Sequence, residues 1–281
     1  MAAATMDRQG LSAADRAAAE ALRRDGVVVV RDLLTPEELV AARRDQETAN
    51  RDAFHGLIPV RPRTAIDPEQ PATNTPLGGL YMGTLPGLAR CYSHPRIVAI
   101  VRAAMRAEPF LHLLKINRFT AGHPGLGPHH DSVGTEFLEP WRRVAAMVFL
   151  DDIGEDSGAF EYVPTSHRLS FRDDERQPDQ GIAGRGSSPP TKGPGSELET
   201  VHAAGLYLPL TLSAGSVVFR HSAVWHAVRP ISRLRRYATA LFTPERPTQT
   251  AEDAEIYASL PAELQRLCRP ASVGVDSASR L

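Results

Sequence analysis

The chain has 281 residues, 42% of them apolar, and a formal net charge of −1, enough to bury one sizeable core without a second domain. No Lys/Arg run interleaved with aromatics supplies a basic surface, so the expected partner is a small molecule and not a nucleic acid. Two cysteines, Cys91 and Cys268, lack Cys-x-x-Cys spacing and argue against a disulfide framework or a structural zinc site. They suit the cytoplasm, and with no long apolar run no export signal or membrane span is expected.

Residues 11–24, LSAADRAAAEALRR, have helix-forming composition with Ser12 as cap, and Gly26 closes the helix before the β-branched run VVVVRDLL. Thr35, Pro36 and Glu38 then spell a capping box that starts a helix running to about residue 53. From Gly56 to Gly87 prolines and glycines are dense, which predicts a long ordered loop containing LYMGTL, followed by a helix near 95–107. The remainder is strand-like: 110–119, 142–152, 159–164, 206–213, 216–222 and 235–243, each bounded by Gly, Pro, Ser or Asp. Helices first and many short strands after predict a mainly β chain with flanking helices, built as an antiparallel double-sheet barrel. Segment 173–199, with nine Gly or Pro among its 27 residues, reads as a disordered insertion or as a lid over the barrel mouth. Residues 244–281 form a tail with a short helix.

The stretch GPHHDSVGTE, residues 127–136, carries the chemistry. In an extended segment side chains alternate, so His129 and Asp131 share one face and His130 points the other way. One imidazole and one carboxylate are two thirds of the 2-His-1-carboxylate set that holds non-haem Fe(II) with positions left open. A polar surface turn would look the same, so a third ligand must come from elsewhere. About a hundred residues on, LSAGSVVFRHSAVWHAVRPISRLRRYATALF runs a Gly-containing turn into an apolar strand, two histidines and an arginine-led strand.

Together HHD, VFLDDIGEDSGAFEYVPTSHR and AGSVVF…WHAVRPISRLRRYA resemble the phytanoyl-CoA dioxygenase family of Fe(II)/2-oxoglutarate-dependent oxygenases, as does the opening LRRDGVVVVRDLLTPEEL. The resemblance spans roughly residues 17–243 in order. It implies one catalytic domain with a double-stranded β-helix (jelly-roll, cupin-like) barrel at 110–243 and an N-terminal helical layer in 1–109. It also implies Fe(II), 2-oxoglutarate as cosubstrate and O2, with metal ligands His129, Asp131 and His226. His221 competes for the third position but lies on the upstream strand before the turn where the family's ligand falls. The cosubstrate's far carboxylate is held in the family by a basic residue some ten positions past the distal histidine, a task that suits a planar guanidinium. By register that is Arg236, with Arg235 as the alternative, although the family's spacing is slightly longer.

Lys115 and Asn117 share a face of the preceding strand and reach toward the cosubstrate in this reading, unless they are a surface lysine and a strand-edge asparagine. His167, in VPTSHR, reads as a structural hydrogen-bonder. Met82, Phe137, Trp141 and Trp225 are candidates for a substrate pocket wall, or plain packing. The reaction implied is oxidation, hydroxylation first, of an unactivated C–H bond of a small molecule, with release of succinate and CO2; relatives also desaturate, epimerise or cyclise. Asp131 at the carboxylate position argues against the halogenase variants. The Ala- and Arg-rich composition is associated with natural-product biosynthesis in high-GC bacteria, and a monomer or homodimer is expected. Two rivals remain at this point: a non-catalytic metabolite-binding barrel, and a zinc lyase or hydrolase using the same residues.

Overall fold

A computed structural model of the chain describes residues 11–58, 74–131, 141, 143–168, 206–247 and 251–269. Helix α1 (Ala13–Asp25) starts where Ser12 Oγ accepts the Asp15 amide at 3.1 Å and stops at Gly26, whose φ of 80° only glycine adopts without strain. Strand β1 (Val27–Val30) follows at once, since four valines favour a pleated, half-buried segment. Helix α2 (Pro36–Phe54) opens with both halves of the capping box: the Glu38 amide donates to Thr35 Oγ1, and the Thr35 amide to Glu38 Oε2. Helices α3 (Pro86–Ser93) and α4 (Pro95–Met105) complete the N-terminal helical layer.

The loop expected over 56–87 is more structured than its composition suggests. Residues 74–78 form strand β2 (Asn74–Gly78) against the next strand, and LYMGTL supplies a 3-10 turn at Leu80–Thr84. Pairing overrode the Pro/Gly signal because Pro76 sits on the outermost strand, where its missing N–H costs no ladder bond.

Strands β3 (Phe110–Phe119), β5 (Val144–Phe149), β8 (Val217–His221) and β10 (Arg235–Thr243) join β1 and β2 in a six-stranded antiparallel sheet ordered β1-β8-β5-β10-β3-β2. Facing it, β4 (Leu126–His129), β6 (Phe160–Tyr162), β7 (Leu208–Leu210) and β9 (His226–Val228) form a second sheet ordered β4-β9-β6-β7. Mostly β, with helices on one side, the chain has the jelly-roll architecture expected. Two short helices, α5 (Ala251–Ser259) and α6 (Ala262–Leu267), follow.

The large sheet separates two cores. Ile116, Ala146, Val148, Phe219, Ala238 and Phe242 pack with Leu22, Leu88 and Ile100 of the helices. Their strand neighbours Phe119, Met147, Phe149, Val218 and Tyr237 pack with Phe160 and Val228 of the small sheet. Period-two alternation thus decides, residue by residue, which side chains enter the barrel. Among the described residues no helix is long and apolar enough to cross a membrane. Cys91 and Cys268 are buried and unlinked, and burial pushes both thiols up to about 12. Segment 173–199 and Phe137 lie outside the described residues.

Candidate active site

The two histidines meet because β4 and β9 pair with His129 opposite His226, although a register shift interrupts the ladder between Leu126 and His129. Their rings lie 4.1 Å apart, centroid to centroid. Asp131, just past β4, donates its amide to the Ser222 carbonyl at 2.9 Å, which ties the ligand turn to the end of β8. One ligand atom from each of His129, Asp131 and His226 falls within 4.8 Å of the others. His129 Nδ1 lies 2.7 Å from the Gly127 carbonyl and His226 Nδ1 2.9 Å from the Val224 carbonyl. Each contact makes Nδ1 the protonated nitrogen and leaves the Nε2 lone pair for a metal.

Electrostatics favours the ligand forms of two of these groups. Burial alone raises the Asp131 carboxyl, but Arg220, His226 and His129 together outweigh it and hold it well below the usual carboxylate range. Burial, with help from Arg220 and His129, keeps His226 neutral far below its ordinary value. Arg220 was not singled out in the sequence. It is 4% exposed, points into the barrel from β8, and donates from Nη2 to Asp131 Oδ2.

The competing histidine is placed elsewhere. His221 faces the helical core, where its ring meets Trp141 edge-on at 4.8 Å and lies 5.3 Å from His167. Its nitrogens face the Ala223 and Trp141 amides at 3.0 and 3.2 Å. Burial, with His167 and Arg220 nearby, pulls its pKa down to about 3. His130 turns away from His129, as alternation requires, and packs edge-on against Trp225 at 4.6 Å.

The two arginines of β10 point to opposite sides of the large sheet. Arg236 shares the face of Ala238 and Ala240, small residues on which helices pack. Its guanidinium is held by Asp151 at 2.7 and 3.0 Å and by Glu47 at 3.0 Å. Arg235 points into the barrel instead. It is fully buried, ringed by Phe119, Phe149 and Tyr237 at 5.5, 5.4 and 4.9 Å from the ring centroids. None of its three guanidinium nitrogens makes a well-formed hydrogen bond or meets a carboxylate, and the Tyr237 hydroxyl is the polar group beside it. Gly158 makes room for it: a Cβ there would stand 3.2 Å from Arg235 Cδ and 2.8 Å from Ile231 Cγ1.

Lys115 and Asn117 lie on the barrel face of β3 with Phe119, and the buried Asn117 Oδ1 has no partner. Burial lowers Lys115, the Asp131 charge opposes this, and Arg220 adds to it. Met82 is fully buried in the helical core, and Trp141 packs there under the Arg23 guanidinium at 4.9 Å, so neither lines the barrel. Trp225 is buried against Val163 and Tyr207. His167 belongs to the same helical-side cluster as Trp141.

The family model for phytanoyl-CoA dioxygenase (PhyH) matches residues 22–233. The chain belongs to this family. It is therefore an enzyme of the Fe(II)/2-oxoglutarate-dependent oxygenase class, folded as a jelly roll. Among solved structures it is similar to AviO1 from Streptomyces viridochromogenes Tue57, at 19% identity and a TM-score of 0.58 over 86% of this chain and 96% of that one. SnoK, a non-haem alpha-ketoglutarate-dependent carbocyclase from nogalamycin biosynthesis, matches at 18% identity and 0.61 over 86% and 87%. The epimerase SnoN in complex with Fe3+, alpha-ketoglutarate and nogalamycin RO matches at 20% identity and 0.57 over 82% and 84%. No curated protein sequence matches the chain.

Proposed function

We propose that this oxygenase holds Fe(II) through His129, Asp131 and His226, anchors the distal carboxylate of 2-oxoglutarate on Arg235, and hydroxylates an unactivated C–H bond of a small molecule. The observation that carries the reading is the pairing of that triad with Arg235, a buried guanidinium that meets no carboxylate among the described residues of the same barrel. A buried charge persists where something pairs with it, and a planar fork in an aromatic cage fits a carboxylate. Two imidazole nitrogens and one carboxylate oxygen fit non-haem iron and leave positions open.

Iron with 2-oxoglutarate supplies, when bound, O2 activation coupled to decarboxylation of the cosubstrate to succinate and CO2. The chain's own part is binding and orientation. The Gly127 and Val224 carbonyls fix both imidazole tautomers, and Arg220 holds Asp131 ionised with Oδ2 occupied, so Oδ1 faces the histidines. Phe119, Phe149 and Tyr237 keep water from Arg235, which strengthens its pairing with a carboxylate. A role in bacterial natural-product biosynthesis is supported by the likeness to SnoK and SnoN, both from nogalamycin biosynthesis. The test is anaerobic addition of Fe(II) and 2-oxoglutarate to the purified protein. A weak visible charge-transfer band of the chelated cosubstrate is expected, with succinate release once O2 is admitted. A protein that forms no band and releases no succinate, or one that works with zinc alone, overturns the reading.

A further inference from the structure

Arg220 has capacity that holding Asp131 does not use. Only Nη2 reaches the carboxylate, while Nε and Nη1 are buried without a hydrogen-bond partner. Nη2 carries two hydrogens and gives one to Asp131, so one edge of the fork still presents two parallel donors. Leaving them dry and unmatched is costly.

The sheet register sets Arg220 and Arg235 in different rows of the barrel. Arg220 is level with Ala145 of β5, and Ala145 with Leu241 of β10. Arg235 lies six residues away from Leu241 on the same strand, about 20 Å at 3.3 Å per residue. The carbon chain of 2-oxoglutarate, four carbon–carbon bonds long, spans roughly 5 Å. Arg235 and Arg220 thus enter the barrel from rows six residues apart, so that two anionic groups, one on each, can be held at once.

Charge points the same way. Among the described residues, Lys115, Arg220 and Arg235 face the barrel interior around one carboxylate, Asp131. Fe(II) and doubly ionised 2-oxoglutarate cancel each other, so the loaded site keeps a positive excess even with Lys115 neutral. Buried cations in excess call for an anion.

We infer that the free edge of Arg220, assisted by Lys115, recognises a carboxylate on the substrate, so that this enzyme acts on an acidic small molecule. The inference rests on the oxygenase reading above. The test titrates the anaerobic Fe(II)/2-oxoglutarate protein with aliphatic, aromatic and amino carboxylic acids, each paired with its own carboxamide, and follows the perturbation of the visible band. For the best-binding scaffold the acid should bind at least tenfold more tightly than its amide. Arg220→Gln keeps an N–H for Asp131 and should erase that preference, read as the ratio of acid to amide affinity within the variant itself. Arg220→Lys keeps a cationic donor without the fork and should hold iron with an intermediate preference, which decides the matter if the glutamine variant loses metal. Equal binding of acids and amides by the wild type overturns the inference alone. So does a glutamine variant that loses cosubstrate affinity tenfold but keeps the acid preference, because the edge then serves 2-oxoglutarate. A wild type that forms no band overturns the oxygenase reading and this inference with it.

Discussion

Replacing Arg235 by methionine separates two consequences with opposite signs. Without cosubstrate the arginine is a fully buried cation with no acidic partner among the described residues, and exchanging such a group for an apolar side chain of similar length stabilises by about 1–4 kcal/mol where measured. The apo protein should therefore melt a few degrees higher. With cosubstrate present the same change removes the desolvated partner of a carboxylate, a loss of about 2–5 kcal/mol. At about 1.4 kcal/mol per tenfold, the 2-oxoglutarate dissociation constant should rise between about 30-fold and a few thousandfold. Arg236→Met should do the reverse. It breaks the two-point pair with Asp151 and the contact with Glu47, only 14% exposed, so the fold should lose about 1–3 kcal/mol while cosubstrate affinity stays within a few fold. Anaerobic titration of the Fe(II)/2-oxoglutarate band gives the affinities, and calorimetry of the metal-free proteins gives the melting temperatures. An Arg236 variant that weakens the cosubstrate more than the Arg235 variant, or an Arg235 variant that destabilises the apo fold, refutes the reasoning.

His129→Ala should abolish stoichiometric Fe(II) binding, whereas His130→Ala gives up an edge-on contact with Trp225, worth about 1 kcal/mol, and keeps iron; anaerobic iron titration checks the ranking. Gly158→Ala places a methyl against Ile231 and Arg235 at a φ of +84°, so a destabilisation of about 1–3 kcal/mol together with weaker 2-oxoglutarate binding is expected, and normal cosubstrate affinity would show that Arg235 needs no such space. His221 carries a folded pKa of about 3 against an ordinary 6.5, so the unfolded chain binds the extra proton between those values. Its contribution to stability is full above about pH 6.5 and is lost as pH falls toward 3. His221→Gln should flatten the pH dependence of unfolding by about 1.4 kcal/mol per pH unit between about pH 6 and 4, measured in denaturant, and an unchanged slope would place the acid-sensitive proton on another group.

The helix caps and the outline of the barrel were legible because their causes are local. Ser12, Gly26 and the Thr35 capping box act within four residues, and the valine run of β1 needs only its own stiffness to prefer extension. The His129 and Asp131 face followed from alternation, and alternation equally told that Arg235 and Arg236 point opposite ways. What it left open is which face meets helices, because that depends on α3 packing across β10, far upstream in the chain. Ala238 and Ala240, on the face of Arg236, make space for a helix; small residues on a strand mark close approach without naming what approaches. Arg220 hid for a related reason. In VVFRHS it looks like one polar residue closing a strand, yet period two from Val218 puts it inside the barrel, and only the arrival of Asp131 from 89 residues away explains a charge there. Arginines that break an inward apolar stripe therefore carry more functional information than those in ion pairs. A paired guanidinium such as Arg236 is accounted for by the fold, whereas Arg235 and the free edge of Arg220 are costs that folding alone does not repay.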